Sequence, residues 1–301
     1  MDGDLAARYD RAIEAFVGKV RDDPNVVAVL VSGSVSQGTV WAKSDVDMTV
    51  VVRDQKLDKK DYGIYEDEIL INVMMVQRSD LKRSMEKSLT GSIGHHFGTT
   101  CRIVFTKDDD LHGYFDEYGK IGKADAEKSI FLMANTLLYY MEKVEKWLVT
   151  IRDPEYARLY LISAADAVAQ MEACSNGQVP TREAILQAKA ISPALMGEVF
   201  TRPMSGAMTD PEIREALKGL GAYVDGHLGA IESVADDLFG DGEIKTGTQI
   251  ANHFRQNMHM LHPIMDYLCE KGYMDKVSQT IRLTPKGRLA VEEMAFIKAK
   301  A

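Results

Sequence analysis

Residues 1–120 contain two kinds of apolar pattern, helical spacing and short apolar runs typical of strands. Together they predict a sheet with helices packed on it. Apolar side chains recur at helical spacing from Asp4 to Arg21, which predicts an amphipathic helix. Apolar runs predict strands at Val26–Ser32, Asp45–Arg53, Ile69–Gln77 and Thr100–Thr106. Further helices are predicted from Ser79 toward Lys87 and from Asp109 to Tyr118. This order is typical of an α+β domain built on a small mixed sheet.

The strand pattern ends near residue 120, and residues 121–240 show helical spacing instead. Ile130, Met133, Leu137 and Val144 illustrate this spacing and predict a long amphipathic helix. Proline and glycine interrupt the pattern at several points, and a neighbouring Asp or Thr is suited to cap the next helix. We therefore predict a helical domain over 121–240.

The last segment, residues 241–301, has a third pattern. Helices are predicted at Ile244–Phe254 and Met258–Lys271, followed by a short strand, a basic turn at 283–288, another strand and a final helix ending at Ile297. This order resembles a winged helix, a module that binds DNA or other proteins. From residue 243 onward, nine Lys and Arg stand against six Asp and Glu. This weak positive charge favours protein interaction or dimerisation over DNA binding.

Composition and charge argue against several classes of function. The formal net charge of the 301-residue chain is −9, which argues against a general nucleic-acid-binding surface. No apolar run approaches the roughly 18 residues that span a bilayer, and the first residues lack the basic character of a secretory signal. We therefore expect a cytoplasmic protein with no membrane partner. Three well-separated cysteines form neither a zinc motif nor a disulfide framework.

A short polar motif lies between the first two predicted strands. The first strand leads into Val31-Ser-Gly-Ser34, and the second opens with Ser44-Asp-Val-Asp47. Because side chains alternate across a strand, Asp45 and Asp47 project from the same face. Paired carboxylates suit Mg²⁺ that carries the phosphates of a substrate. The glycine allows the backbone to approach a phosphate closely, and the serine after it can donate hydrogen bonds to that phosphate.

This arrangement resembles the nucleotidyltransferase superfamily related to DNA polymerase β. The signature of that superfamily is an apolar strand, Gly-Ser or Gly-Gly, a gap of roughly ten residues and Asp-x-Asp. The resemblance implies that Asp45 and Asp47 are catalytic and bind Mg²⁺, with a two-metal site possible. It also implies that Gly33 and Ser34 bind the β- and γ-phosphates of ATP or another nucleoside triphosphate.

Lys43 and Ser44 are further nucleotide-binding candidates. Ser44 precedes the first carboxylate, as is common in the superfamily, and Lys43 lies beside the carboxylates where it can contact a phosphate or stay solvated. The helical segment resembles the one that helps form the acceptor pocket in the aminoglycoside-modifying members. The resemblance thus implies an unknown small-molecule acceptor, and a homo-oligomer is a further possibility.

The superfamily normally uses a third carboxylate on a neighbouring strand, where it binds a metal and serves as or positions the base for the attacking hydroxyl. Alignment of Ile69–Leu81 with this pattern puts Asn72 in that place. Its neutral amide cannot accept a proton at pH 7. Glu68 has the same side-chain parity, but four strand residues span about 13 Å, so it would need a bulge or a register shift. Alternatively another group activates the acceptor, transfer is inefficient, or Asn72 is only a structural residue that the alignment misplaces.

Two functional hypotheses follow. The first is an Mg²⁺-dependent enzyme that transfers a nucleoside monophosphate from a nucleoside triphosphate to a hydroxyl of a small molecule. The second is a catalytically weakened nucleotide-binding regulator or assembly module with a winged-helix domain. Asp45 and Asp47 favour the enzyme, whereas Asn72 and the C-terminal segment favour the regulator.

Overall fold

A mixed sheet of five strands is built from the apolar runs of the first part of the chain. The computed structural model describes residues 3–88, 93–284 and 286–299. The strands are β1 (Val26–Ser32), β2 (Val46–Val52), β3 (Asp61–Glu66), β4 (Ile69–Gln77) and β5 (Arg102–Thr106). Their order across the sheet is β3-β4-β2-β1-β5, with β2 and β4 parallel and the other neighbours antiparallel. The predicted mixed sheet is confirmed.

The edge strand β3 is absent from the sequence prediction. Its sequence, Asp-Tyr-Gly-Ile-Tyr-Glu, is largely exposed and lacks an apolar run. It pairs with β4 through a turn at Asp67 and Glu68, whose φ angles are 48° and 61°. Two-residue hairpin turns with positive φ usually carry Asn-Gly or Asp-Gly, and the Asp-Glu pair gives no such signal. Neither the strand nor its turn therefore gives a sequence signal that predicts this hairpin.

Helices surround the sheet in the first of two compact units, Met1–Ile121 and Gly122–Ala301. They are α1 (Gly3–Val20), α2 (Gly33–Ser36), α3 (Arg78–Ser88), α4 (Ile93–Thr100) and α5 (Asp110–Tyr118). Helix α3 begins at Arg78, one residue before the predicted start, so Ser79 lies within its first turn and does not cap it. Residue 100 ends α4 instead of opening a strand.

The two faces of the sheet are covered unequally. On one face, α1 buries Tyr9, Ile13 and Phe16 against strand residues such as Met48. The opposite face is covered toward one end by Leu111 of α5. Because successive strand residues alternate between faces, Asp47 lies on this second face, and it is exposed. One end of the second face is therefore open to solvent.

Helices make up most of the second unit up to residue 239, in line with the predicted helical segment. They are α6 (Lys123–Lys146), α7 (Pro154–Ser175), α8 (Ala184–Ile191), α9 (Pro193–Met196), α10 (Arg202–Ser205), α11 (Asp210–Asp225) and α12 (Leu228–Phe239). Two π-helical turns lie at Trp147–Ile151 and Gly197–Thr201. At two of the predicted breaks an Asp or Thr caps the next helix: Asp153 accepts the Tyr156 N–H, and Thr209 forms a capping box with Glu212.

The C-terminal segment forms β6 (Lys245–Thr246), α13 (Gly247–Phe254), α14 (Met258–Glu270), β7 (Met274–Arg282) and β8 (Ala290–Lys298). The predicted final helix is wrong, because that stretch is β8 and pairs with β7 from Met274↔Lys298 to Arg282↔Ala290. Ala, Glu and Met favour helices, but nine residues of antiparallel pairing outweigh this local preference. The winged-helix resemblance and the domain boundary at residue 240 remain predictions.

Two expectations from composition can be compared with the structure. Within the described ranges, no helix is both long and apolar enough to cross a membrane. The three cysteines are free thiols, and burial raises the pKa of Cys101 to about 11. Nothing in the cysteine chemistry indicates a disulfide framework.

Candidate functional site

Strand pairing places Asp47 and Asn72, two of the predicted site residues, in one row across the sheet. In the sheet, Ser32 of β1 stands opposite Asp47 of β2, and Asp47 stands beside Asn72 of β4. Asn72 in turn pairs with Gly63 of β3. Side chains of directly paired residues point to the same face, so Asp47 and Asn72 share the open face of the sheet.

The side-chain amide of Asn72 bridges the two carboxylates. Its Nδ2 donates to Asp45 Oδ2 at 2.6 Å and to Asp47 Oδ1 at 3.4 Å. Both carboxylates are exposed, whereas Asn72 is half-buried. Two adjacent negative charges repel each other, and an amide N–H that points between them relieves part of this repulsion. The residue predicted to stand for the missing carboxylate therefore contacts both metal-ligand candidates directly.

Gly33 adopts a backbone conformation that other residues rarely adopt, with φ at +72°. A Cβ atom at this position would lie 2.6 Å from Asp47 Oδ2. Side-chain space and backbone angle thus both demand glycine. The group that lies closest to this position is the Asp47 carboxylate, and the approach of a phosphate to Gly33 stays a prediction.

The loop from α2 to β2 is held by Tyr9 of α1, a residue that was not among the predicted site residues. The Tyr9 hydroxyl donates to the carbonyl of Ser44 at 2.7 Å and to that of Trp41 at 3.2 Å. Burial raises the pKa of this hydroxyl, Arg8 opposes the shift, and the Asp45 carboxylate adds to it. Tyr9 thus ties α1 to the loop that carries the predicted motif.

Three other candidates lie on or beside this loop. The Ser34 hydroxyl lies 3.5 Å from the Ser44 hydroxyl, which also accepts the Trp41 N–H at 3.1 Å. Lys43 is exposed, and its Nζ lies 5.8 Å from the centre of the Trp41 ring. The structure therefore brings Ser34 and Ser44 together, while Lys43 faces solvent beside an aromatic ring.

An open groove of about 400 Å³ lies along this face, and Asp47 and Asn72 line it. Asp61 of the unpredicted strand β3 also lines the groove. It pairs with Met74, which is 47% exposed and lies two residues beyond Asn72 on β4. The groove therefore contains a further carboxylate and an apolar side chain that sequence reasoning missed.

Glu68, the alternative third carboxylate, lies elsewhere. It occupies the turn between β3 and β4, its side chain is 92% exposed, and it forms an ion pair with Arg8 at 3.3 Å. A bulge or register shift between β2 and β4 would be needed to bring Glu68 toward Asp47. The pairing of these two strands contains neither. The structure thus gives Glu68 a surface contact with α1 and keeps Asn72 in the row.

The donor set fits Mg²⁺ that shares its coordination with a substrate. Within residues 3–88, 93–284 and 286–299, no three His, Cys, Asp or Glu side chains are grouped to hold a metal ion. Asp45 and Asp47 nevertheless offer carboxylate oxygens, which are the hard ligands that Mg²⁺ prefers, while Asn72 presents its amide N–H to them and would have to turn to offer its oxygen. Mg²⁺ is commonly held by one or two carboxylates together with substrate phosphates.

Comparison with solved structures places the fold. The chain is similar to a nucleotidyltransferase-like protein from Exiguobacterium sibiricum 255-15, with a TM-score of 0.65 and 15% identity over 96% of this chain and 99% of that one. A second similar structure is the spectinomycin adenyltransferase AAD(9) from Enterococcus faecialis with ATP and spectinomycin, at a TM-score of 0.29 and 12% identity over 74% of this chain and 98% of that one. Scans against family models and curated proteins gave no match. The chain has a nucleotidyltransferase-like fold.

Proposed function

We propose that this protein binds a magnesium nucleoside triphosphate and transfers a nucleoside monophosphate to a hydroxyl of a small molecule. The observation that carries the proposal is the pair of exposed carboxylates, Asp45 and Asp47, against the tight Gly33 turn in a nucleotidyltransferase-like fold. Phosphoryl-type transfer requires mainly positioning and charge neutralisation. These residues are of the type that supplies both.

Asp45 and Asp47 would hold the magnesium, and the Asn72 carbonyl oxygen offers a third ligand once its amide turns. When bound, Mg²⁺ neutralises developing phosphate charge and aligns the reacting oxygens. The backbone at Gly33 and the hydroxyl of Ser34 would donate to the terminal phosphates. Lys43 is exposed and free to move toward an anionic phosphate.

The acceptor side of the site is the groove beyond Asn72. Asp61 and Asp47 give it two carboxylates, and Met74 gives it an apolar patch. Carboxylates can accept hydrogen bonds from hydroxyls and pair with ammonium groups. A polar acceptor with hydroxyl or amino groups fits this lining. Because Asn72 cannot take a proton, the acceptor hydroxyl must lose its proton to another group or to water.

A second candidate function is nucleotide binding without efficient transfer. The contact that favours it is the 2.6 Å hydrogen bond from Asn72 to Asp45, at the place where the superfamily resemblance implies a third carboxylate. A site that keeps two carboxylates can still bind a magnesium nucleotide. Turnover with a panel of acceptors decides between the two candidates.

Calorimetric titration with Mg-ATP tests the binding step. Asp47→Asn should weaken Mg-ATP binding sharply, because one metal ligand is lost, while stability without metal stays equal or rises as repulsion is relieved. Asp58→Asn is the matched control, since Asp58 is exposed in the same unit and does not line the groove. Equal Mg-ATP affinity in wild type and Asp47→Asn would eliminate the metal-site proposal.

Radiolabelled nucleotide transfer to aminosugars and nucleosides tests the chemical step. Transfer that requires Mg²⁺ and is lost in Asp47→Asn would support the enzyme. Mg-ATP binding without transfer to any acceptor would favour the second candidate.

A further inference from the structure

The side chain of Trp41 is 61% exposed, in the loop between α2 and β2. Tryptophan carries a large apolar ring system and is usually highly buried. Trp41 lies four residues before Asp45. Binding residues are often found on loops that a rigid scaffold holds in place. An exposed indole on the loop that leads to Asp45 is suited to contact a ligand bound there.

The backbone around Trp41 is fixed although its ring is exposed. The Ser44 N–H donates to the Trp41 carbonyl at 2.9 Å, and the Trp41 N–H donates to the Ser44 hydroxyl at 3.1 Å. Tyr9, only 3% exposed, donates to both carbonyls from the core of the unit. The ring therefore stands on a preorganised turn, which lowers the ordering cost of a contact with a ligand.

The same hydrogen bonds limit how far the backbone of Trp41 can lie from that of Asp45. A turn closed by a bond between its first and fourth residues keeps their Cα atoms within about 7 Å, and one more residue adds about 3.8 Å. The Cα atoms of Trp41 and Asp45 therefore lie within about 11 Å of each other, a separation that a bound nucleotide can span. The Lys43 ammonium lies 5.8 Å from the centre of the Trp41 ring, so the same loop also carries a positive charge.

We propose that Trp41 stacks on the base of the nucleoside triphosphate whose phosphates lie at Asp45 and Asp47. This proposal rests on the proposed function and assigns the residue that recognises the base. Stacking on an aromatic side chain tolerates any base, because every base has a π-face. Purines are expected to bind more tightly than pyrimidines, since their larger rings bury more surface.

Fluorescence reports on this contact directly, because the chain has only two tryptophans. The other, Trp147, lies in the second unit with its ring 4.2 Å from that of Tyr156. Trp147→Phe leaves Trp41 as the sole indole and keeps an aromatic ring beside Tyr156. In this variant, Mg-ATP should quench the emission, whereas magnesium tripolyphosphate, which has phosphates but no base, should not.

Affinity measurements separate the base contact from the phosphate contact. Trp41→Ala should weaken Mg-ATP binding roughly 5- to 150-fold, the range expected for loss of one base–aromatic stack. It should leave the affinity for magnesium tripolyphosphate unchanged, and Trp41→Phe should retain most of the ATP affinity. Asp47→Asn should instead weaken both ligands, because it acts on the phosphates.

Three outcomes would overturn the proposal. If Trp41→Ala binds ATP and tripolyphosphate as wild type does, the stacking role is wrong while the metal-phosphate site stands. If Trp41→Ala loses both ligands and melts at a lower temperature, Trp41 only supports the loop. If wild type binds neither ligand, the proposed function fails and the role of Trp41 fails with it.

Discussion

Asn72→Asp tests the central contact of the candidate site, the amide that bridges two carboxylates. In the wild type, Asn72 Nδ2 lies 2.6 Å from Asp45 Oδ2 and 3.4 Å from Asp47 Oδ1. An aspartate in the same place presents an oxygen where the N–H donor stood. Two hydrogen bonds are then replaced by two repulsive contacts between like charges.

The expected destabilisation can be worked from these distances. Two unit charges about 4 Å apart interact by about 1 kcal/mol in water and about 4 kcal/mol near a protein surface of lower dielectric. Because Asp45 and Asp47 are exposed, the lower value applies, and two such pairs cost about 2 kcal/mol. Loss of the two hydrogen bonds adds about 1 kcal/mol each. Without metal, the variant should melt about 5–15 °C below wild type.

Magnesium should reverse this loss, because three carboxylates offset divalent charge better than two do. In differential scanning fluorimetry, saturating Mg²⁺ should therefore raise the Tm of Asn72→Asp by more than it raises the Tm of wild type. If the position is that of the missing base, transfer should also rise by roughly 10²- to 10⁴-fold when an acceptor is supplied.

Two controls isolate the charge. Asn72→Ala removes the bridge without adding a carboxylate, so it should be less destabilised and show no enhanced response to Mg²⁺. Placing Asn72→Asp in an Asp45→Asn background removes one repulsive pair and should recover about 1 kcal/mol. The reasoning is refuted if Asn72→Asp melts at or above the wild-type temperature in chelator, or if Mg²⁺ stabilises both proteins equally.

Further predictions concern the turn, a helix cap and the C-terminal segment. Gly33→Ala should displace the Asp47 carboxylate and weaken Mg-ATP binding, and the positive φ should lower the stability of the fold by about 1–2 kcal/mol. An unchanged Mg-ATP affinity in calorimetric titration would contradict this. Hydrogen bonds from the backbone and hydroxyl of Thr209, followed by Arg202, lower the pKa of Glu212 to about 2 from 4.5. The ionised Glu212 therefore stabilises the fold fully above pH 4.5, and this stabilisation is lost as the pH falls toward 2. Glu212→Gln should therefore melt below wild type at pH 7, and the gap should close over that range. Full-length protein should not bind duplex DNA tightly, and salt-sensitive binding that is lost on deletion of residues 243–301 would reverse this expectation.

Sequence patterns located buried strands well and exposed ones badly. The predicted bounds of β1 and β4 match the structure, because both are apolar runs that pack in the interior of the sheet. Strand β3 lies at the edge and is mostly polar, so no periodic signal marks it. Strand β8 was mistaken for a helix, because its pairing with β7 is a tertiary interaction that local propensity does not contain.

The candidate site was predictable where its residues share one motif or one strand face. Parity along two strands is enough to place Asp47 and Asn72 on the same side once the strands are neighbours. The contribution of Tyr9 comes from a helix more than thirty residues away, through its hydrogen bond to Ser44. Asp61 belongs to the hidden edge strand, so its position in the groove depends on strand pairing that the sequence does not reveal.

Three features around the site are unfavourable for a fold that serves only stability. Asp45 and Asp47 are adjacent like charges, Gly33 has a positive φ close to one of them, and Trp41 exposes a large apolar ring. Strained or mismatched positions tend to cluster where a protein acts, because a ligand supplies what the fold leaves unsatisfied. A magnesium nucleotide would meet the first and third of these features together: its metal would neutralise the carboxylates, and its base would cover the indole. Without ligand, the Asn72 amide donates to both carboxylates and relieves part of their repulsion; under the proposed function, a bound cation would take over this role.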